Sequence, residues 1–297
     1  MSTTKAKVTL LEEVKSIYGI YQKQQRANED RFIVLNTNIN KESYRFFAIF
    51  DGHGGPGKEN HVVDYCVENL PKRLFHKLAN TNIKNTKLTI KSITQCFIDF
   101  DTEMYNLFKE EKLNYGTTCT AVLIDETRGR IYQINLGDSR SIIFDSKEGT
   151  ILSETKDHTP EYPGESLRIE AAKGFVRYNR VLGSIAVSRA LGDFGFKHCP
   201  AFSHNYDPVN SCLSAVPDII VTPITLPMSI ILTSDSPFSV PGVNNKSLVG
   251  DYIKLNTVLR GLQEKEDTPF LSELALSMAR MFIEMTTDDT TLILVTV

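Results

Sequence analysis

Three aspartates stand at the ends of apolar runs: RFFAIF leads into Asp51, SIILTS leads into Asp235, and Asp288 sits just before DTTLILVTV. Runs of that length, rich in Phe, Ile, Leu and Val, read as buried strands. A carboxylate at the tip of such a strand escapes the desolvation cost of the core yet stays on rigid backbone. Carboxylates from distant segments can then converge on one hard divalent cation, which takes oxygen ligands. The chemistry to expect is metal-assisted. The first aspartate opens DGHGG, residues 51–55, the most specific string in the chain. Its glycines permit φ > 0 turns and close backbone approach, so the Gly52 carbonyl and the Asp51 carboxylate can face one ion, with His53 in reach of whatever binds there. The competing reading is a tight strand-to-helix turn carrying a surface histidine. A histidine, an aspartate and three glycines in five residues favour the site.

The elements that must carry these residues run as strands, two helices, strands, two helices and a last strand. Val63, Cys66, Leu70, Leu74 and Leu78 share one face, and Ile90, Ile93, Phe97, Phe100, Met104 and Leu107 share another, at the three-to-four spacing of amphipathic helices. Both stripes are core. Pro71 is expected to kink or interrupt the first helix, and the polar TNIKNTK joins the pair. Residues 115–145 read as a meander: TTCTAVLI, a DETRG turn, RIYQINL, a GDS hairpin turn and RSIIFD. Residues 248–262 and 270–283 read as the second helical pair. Residues 158–181, rich in Pro, Gly and charge, read as an irregular flap. Helical pairs around strand runs suggest sheets sandwiched between helical layers.

With 297 residues, 41% of them apolar, and no linker to divide it, the chain is expected to be one domain over residues 1–297. A net charge of −3 gives no basic footprint for nucleic acid, so phosphate attraction would come from bound cations. Cys66, Cys96, Cys119, Cys199 and Cys212 are an odd, scattered set without metal-type pairing, which fits reduced thiols in the cytoplasm or nucleus. The first residues lack a signal peptide's apolar stretch, position 2 is Ser where N-myristoylation needs Gly, and no run approaches a membrane span. The expectation is a cytoplasmic or nuclear monomer with neither nucleic acid nor membrane as partner.

In order along the chain, DGHGG, YGTTCTAVLI, INLGDSRS, DHTPEYPGESLRI, LGSIAVSRALGDF, VPDII, TSDS and TTDDTTLILV resemble the motifs of the metal-dependent serine/threonine protein phosphatases of type 2C, over about residues 18–297. The resemblance implies an α+β fold, a four-layer α/β/β/α sandwich whose two central antiparallel sheets are flanked by helix pairs. It also implies two Mg²⁺ or Mn²⁺ ions in the cleft between the sheets, and phosphoprotein substrates hydrolysed at phosphoserine and phosphothreonine. A phosphate monoester dianion resists water, and two metal ions about 3.5 to 4 Å apart can clamp its oxygens and acidify a bridging water. The implied reaction is direct attack by a metal-bridging hydroxide, with no covalent phosphoenzyme. By the resemblance, Asp51 bridges the ions, the Gly52 carbonyl ligates one, and Asp235 and Asp288 ligate the other. Glu29 and Asp30 hold metal-bound waters, Asp138 helps bind a further, weaker cation, and His53 protonates the leaving oxygen. The flap, with KHCPAFSHNYDPVNSC, would lie near the cleft and decide which phosphoprotein docks.

On the residues alone several of these positions have plainer readings. Glu29 and Asp30 are then solvated charges before a strand, and Asp138 is an ordinary turn residue. Arg189 and Asp193 read as a buried ion pair or turn anchor, His158 as a loop start, and Asp289 as a helix-to-strand cap in preference to a second ligand. The chain also departs from the family pattern. Gln25 stands where an arginine would hold the substrate phosphate, so either Arg26 takes that role or phosphate binding is weak. Ser236 and Ser239 replace a glycine and an acid after Asp235, and a serine there is costly if the turn needs φ > 0. PGKEN follows DGHGG, and Lys173 replaces one glycine of a pair. These changes motivate the alternative of a catalytically weak or inactive phosphatase-like module that holds protein partners. Other phosphatase chemistries are set aside: no cysteine has an arginine six residues on, and neither GDxHG nor GNHE occurs. No GxxxxGK[ST] loop and no GxGxxG after a strand supports nucleotide binding.

Overall fold

The computed structural model describes residues 17–23, 29–54, 61–109, 115–197, 205–225, 227–262, 267–283, 285–286 and 288–297. Its strands are β1 (Ile17–Lys23), β2 (Arg31–Ile39), β3 (Glu42–Phe50), β4 (Gly52–His53), β5 (Gly116–Thr117), β6 (Cys119–Asp125), β7 (Arg130–Leu136), β8 (Arg140–Asp145), β9 (Ile151–Glu154), β10 (Val176–Arg177), β11 (Arg180–Val181), β12 (Leu191–Gly192), β13 (Asp218–Pro223), β14 (Met228–Thr233) and β15 (Thr290–Thr296). The helices are α1 (His61–Ala79), α2 (Thr86–Phe108), α3 (Pro163–Ala171), α4 (Phe194–Lys197), α5 (Asn245–Leu262) and α6 (Asp267–Ile283).

Strand side chains alternate between two faces, and in the central strands both faces are covered, which is why these strands are apolar throughout. In β3, Phe46, Ala48 and Phe50 join α1 and α2 in one cluster. Phe47 and Ile49 point the other way, into a second cluster with Ile230, Leu232, Ile293 and Val295 of β14 and β15. Leu292 and Leu294 turn to a third cluster with Leu248, Leu274 and Met278 of α5 and α6. Each fully buried side chain of this size contributes roughly 1.5–3 kcal/mol. The layers follow: helices, a sheet ordered β13-β7-β6-β3-β2, a sheet ordered β1-β15-β14-β8-β9, and helices. Both five-stranded sheets are antiparallel throughout. The four-layer α+β expectation and both helical pairs are found, and Asn85 caps α2 by accepting from the Lys87 and Leu88 amides.

Three expectations are corrected. Pro71 neither ends nor interrupts α1, which runs on through it with the ring buried. The meander is broken: β6 and β7 are neighbours, but β8 pairs with β14 in the other sheet. The GDS turn is thus a crossing between sheets and not a hairpin. Gly137 takes φ 110 there, and a Cβ on it would lie 2.6 Å from the Thr118 side chain, so the crossing needs glycine. The flap is not irregular, since it contains α3 and the β10-β11 hairpin. It is braced from beneath by Glu165, which accepts from Arg168 at 3.0 Å and from Arg189 at 2.6 Å, while Arg189 also reaches Asp218 at 2.8 Å. Arg189 is thus the ion-pair residue its position suggested. His158 is buried, and its Nδ1 accepts the Gly137 amide at 3.1 Å, so it braces the crossing. Among the described residues no helix is long and apolar enough to cross a membrane.

Candidate active site

At the end of β3 the chain leaves the large sheet and, after Asp51, Gly52 and His53 form β4, which pairs with β5, which pairs in turn with β12. The register sets His53 opposite Gly116 and Gly116 opposite Gly192. Asp193 follows directly, and its Oδ2 lies 2.6 Å from His53 Nε2. Gly116 sits beneath this pair: a Cβ there would be 2.0 Å from Asp193 Oδ2 and 2.8 Å from His53 Nε2, so only glycine leaves room. Asp51 is fixed by its backbone, whose amide donates to Thr118 Oγ1 at 3.2 Å and whose carbonyl accepts the Thr118 amide at 2.9 Å. Thr118 Oγ1 in turn meets Ser139 Oγ at 2.8 Å, which ties the Asp51 segment to the crossing that carries Asp138.

These segments enclose a cavity of about 570 Å³ whose lining includes Glu29, Asp51, Gly52, His53, Asp138, Asp193, Asp235 and Asp288. The three strand-end aspartates are therefore together. Arg180 of the flap and Ser184 to Val187 just after it add to the wall, and Arg180 is the only cationic side chain among the described lining residues apart from His53. Asp30 is not in the lining. It is buried behind it, where its carboxylate accepts from Thr291 Oγ1 at 2.7 Å. Asp289 is not a helix-to-strand cap: its Oδ2 accepts the Glu29 amide at 2.6 Å and the Asp30 amide at 3.4 Å, so it anchors the start of β2. Gln25, Arg26 and the PGKEN segment lie outside the described residues.

The electrostatics are those of crowded carboxylates. Burial, then the charges of Asp30, Asp235, Asp138 and Asp288, push Asp51 well above the usual carboxylate range. Burial pushes Asp138 up to about 7, helped by Asp235 and Asp157. Asp30 is likewise raised to about 7 by burial, against hydrogen bonds from Thr291 and Ser234. Asp235 is raised by burial and by Asp288. For His53, burial favours the neutral ring, but the Asp193 charge and hydrogen bond outweigh it and raise the pKa. Hard oxygen donors in mutual repulsion are what a divalent cation relieves, so the donor set fits Mg²⁺ or Mn²⁺. It is not a closed cage: among the described residues no three His, Cys, Asp or Glu side chains stand where they could together hold a metal ion.

The sequence reading gave Asp193 no place in the site, because its contact with His53 depends on the register of two-residue strands. Such strands are too short to show a pattern.

The chain belongs to the protein phosphatase 2C family, whose model matches residues 19–236. It is 34% identical over 232 residues to a probable protein phosphatase 2C of Caenorhabditis elegans, covering 77% of this chain and 58% of that protein. It is 32% identical over 185 residues to protein phosphatase 2C homolog 3 of Schizosaccharomyces pombe, covering 62% and 41%. The chain thus spans only 41% to 58% of the length of these relatives. Among solved structures, a phosphatase from a pathogenic strain of Toxoplasma gondii superposes with a TM-score of 0.74 at 21% identity over 95% of both chains. A C. elegans sex determining protein gives 0.72 at 22% identity over 94% of this chain and 64% of that one. At these identities the likeness shows the shared fold.

Proposed function

We propose that this protein hydrolyses phosphoserine and phosphothreonine in proteins, using two divalent cations, Mg²⁺ or Mn²⁺. The observation that supports this most is the gathering of Asp51, Asp138, Asp235, Asp288 and His53 around one cavity. Family membership points the same way. In this reading Asp51, the Gly52 carbonyl, Asp235 and Asp288 hold the two ions, Asp138 helps with a weaker third, and Glu29 orders the water around them, while Asp30, buried behind the wall, adds negative charge without reaching that water. Bound there, the ions would neutralise phosphoryl oxygens and acidify water, which is how a phosphate dianion becomes open to attack.

The chain's own residues do the rest. The water oxygen bonds to phosphorus, the bond from phosphorus to the seryl or threonyl oxygen breaks, and that oxygen leaves with the electron pair. No phosphoenzyme forms. An alkoxide is a poor leaving group, so it needs a proton as it departs. His53 supplies it, because Asp193 favours the imidazolium. With Nε2 committed to Asp193, Nδ1 is the nitrogen left for the substrate. Arg180 in the wall offers positive charge to the phosphate, as does Arg26 in the sequence reading.

The test is phosphate release from a phosphothreonine peptide in millimolar Mn²⁺ or Mg²⁺, with a chelator control and the Asp51→Asn variant. Chelator-sensitive turnover that the variant loses is the expected result. Tight peptide binding without turnover in either metal would replace the enzyme with a binding module.

A further inference from the structure

We propose that Asp101 and Lys197 form a buried clamp that positions His53 through Asp193, an inference that rests on the phosphatase reading above. Asp101, in the body of α2, and Lys197, the last residue of α4, are both 0% exposed. Burying two charges is costly unless every donor and acceptor is used, and here they are. Lys197 Nζ donates to Asp101 Oδ1 and Oδ2 at 2.8 Å each and to the Ala190 carbonyl at 2.7 Å. Asp101 Oδ1 also accepts the Gly192 amide at 2.8 Å, and Oδ2 accepts the Tyr206 hydroxyl. Tyr206 is itself held against α2 by stacking on Tyr105 at 4.0 Å.

One carboxylate therefore grips both ends of the segment 192–197. Between those ends sits Asp193. Its φ of 51 is a left-handed conformation that a non-glycine residue adopts only where its surroundings hold it. They do so through the Asp193 amide, which donates to the Tyr115 carbonyl at 2.8 Å, and the Asp193 carbonyl, which accepts the Phe196 amide at 2.9 Å. The clamp fixes the backbone on either side, and the backbone fixes the carboxylate 2.6 Å from His53 Nε2. A buried ion pair is weak evidence for stability, since a well-packed apolar pair often serves a core as well. What the apolar pair lacks is the directional hold on the Gly192 amide. Asp101 and Lys197 touch no reacting group, so they are positioning residues.

The test is the double variant Asp101→Leu with Lys197→Met, an apolar pair, compared with wild type on a phosphothreonine peptide and on p-nitrophenyl phosphate in Mn²⁺. Nitrophenolate leaves without a proton and the threonyl oxygen does not, so a misplaced His53 affects only the peptide. Turnover of the peptide should fall at least about tenfold, and that of p-nitrophenyl phosphate by less than about twofold. Equal losses on the two substrates, or no loss on either, overturn the clamp. If the double variant does not fold, Tyr206→Phe carries the same comparison, with a selective loss of about two- to fivefold expected and no selectivity overturning it. Wild-type protein inert on both substrates would sink the phosphatase reading instead. The clamp is then judged by the downfield proton resonance of His53 Nε2–H, identified by its loss in Asp193→Asn. Its persistence in the double variant, or in Tyr206→Phe if that carries the test, overturns the clamp, and its loss supports it.

Discussion

His53 and Asp193, 140 positions apart in sequence, meet at 2.6 Å because three two-residue strands stack His53, Gly116 and Gly192 in one row. The pair is nearly sealed from water on the Asp193 side, where the carboxylate is 1% exposed. Gly116 is the floor of that row. In Gly116→Ala the new methyl would sit 2.0 Å from the Asp193 carboxylate, so the pair must separate. Peptide turnover should drop by about tenfold or more, with the cooperative thermal transition retained. A fully active Gly116→Ala would show that His53 does not work through Asp193.

A cation bound to the carboxylate cavity should stabilise the fold. Asp51, Asp138 and Asp235 are all raised by burial and by neighbouring carboxylates, and positive charge relieves both. A ligand at a hundredfold excess over its Kd adds about 2.7 kcal/mol, enough to raise Tm by several degrees. Thermal unfolding should therefore show Mn²⁺ raising Tm, a chelator reversing it, and Asp51→Asn blunting it. An equal rise in the variant would place the ions elsewhere.

The fold was largely legible because its central strands are covered on both faces. Phe46 to Phe50 and Leu292 to Val295 must be apolar at every position, and the aspartates at their ends are then conspicuous. Asp51, Asp235 and Asp288 could thus be placed from sequence. The crossing at Asp138 could not, since a Gly-Asp-Ser turn reads the same whether the next strand returns to its own sheet or enters another. The roles of Asp193 and Asp289 were hidden for a similar reason: each depends on a partner more than a hundred residues away, His53 or the Glu29 amide.

Acid should loosen the flap before it unfolds the core. Burial pushes Glu165 up, but hydrogen bonds from Arg189 and the charges of Arg168 and Arg189 win and hold it at about 2, below its ordinary 4.5. The unfolded chain takes up that proton near pH 4.5 and the folded chain only near 2, so this stabilisation is complete above pH 4.5 and lost as pH falls to about 2. At ~1.4 kcal/mol per pH unit it is worth about 3 kcal/mol. Glu165→Gln should lose that amount near neutral pH and show a flatter decline between pH 4.5 and 2. Urea unfolding at several pH values measures both, and parallel curves for variant and wild type would contradict the assignment.

Ser236 stands where a glycine was expected, and the strain feared there does not arise. It opens a 3-10 turn over Ser236–Ser239 and is not among the described residues with positive φ. Its Oγ lies 2.8 Å from Thr290 Oγ1, beside the Ser234 hydroxyl that accepts the Thr291 amide at 3.0 Å. These bonds join the ends of β14 and β15, the ends that carry Asp235 and Asp288. Ser236→Gly removes one of them and adds backbone freedom to the unfolded chain, so it should cost about 1–2 kcal/mol. Turnover should not rise, because the serine holds the two aspartates' strands together instead of distorting the turn. A glycine variant that was both more stable and faster would mean that the serine burdens the site after all.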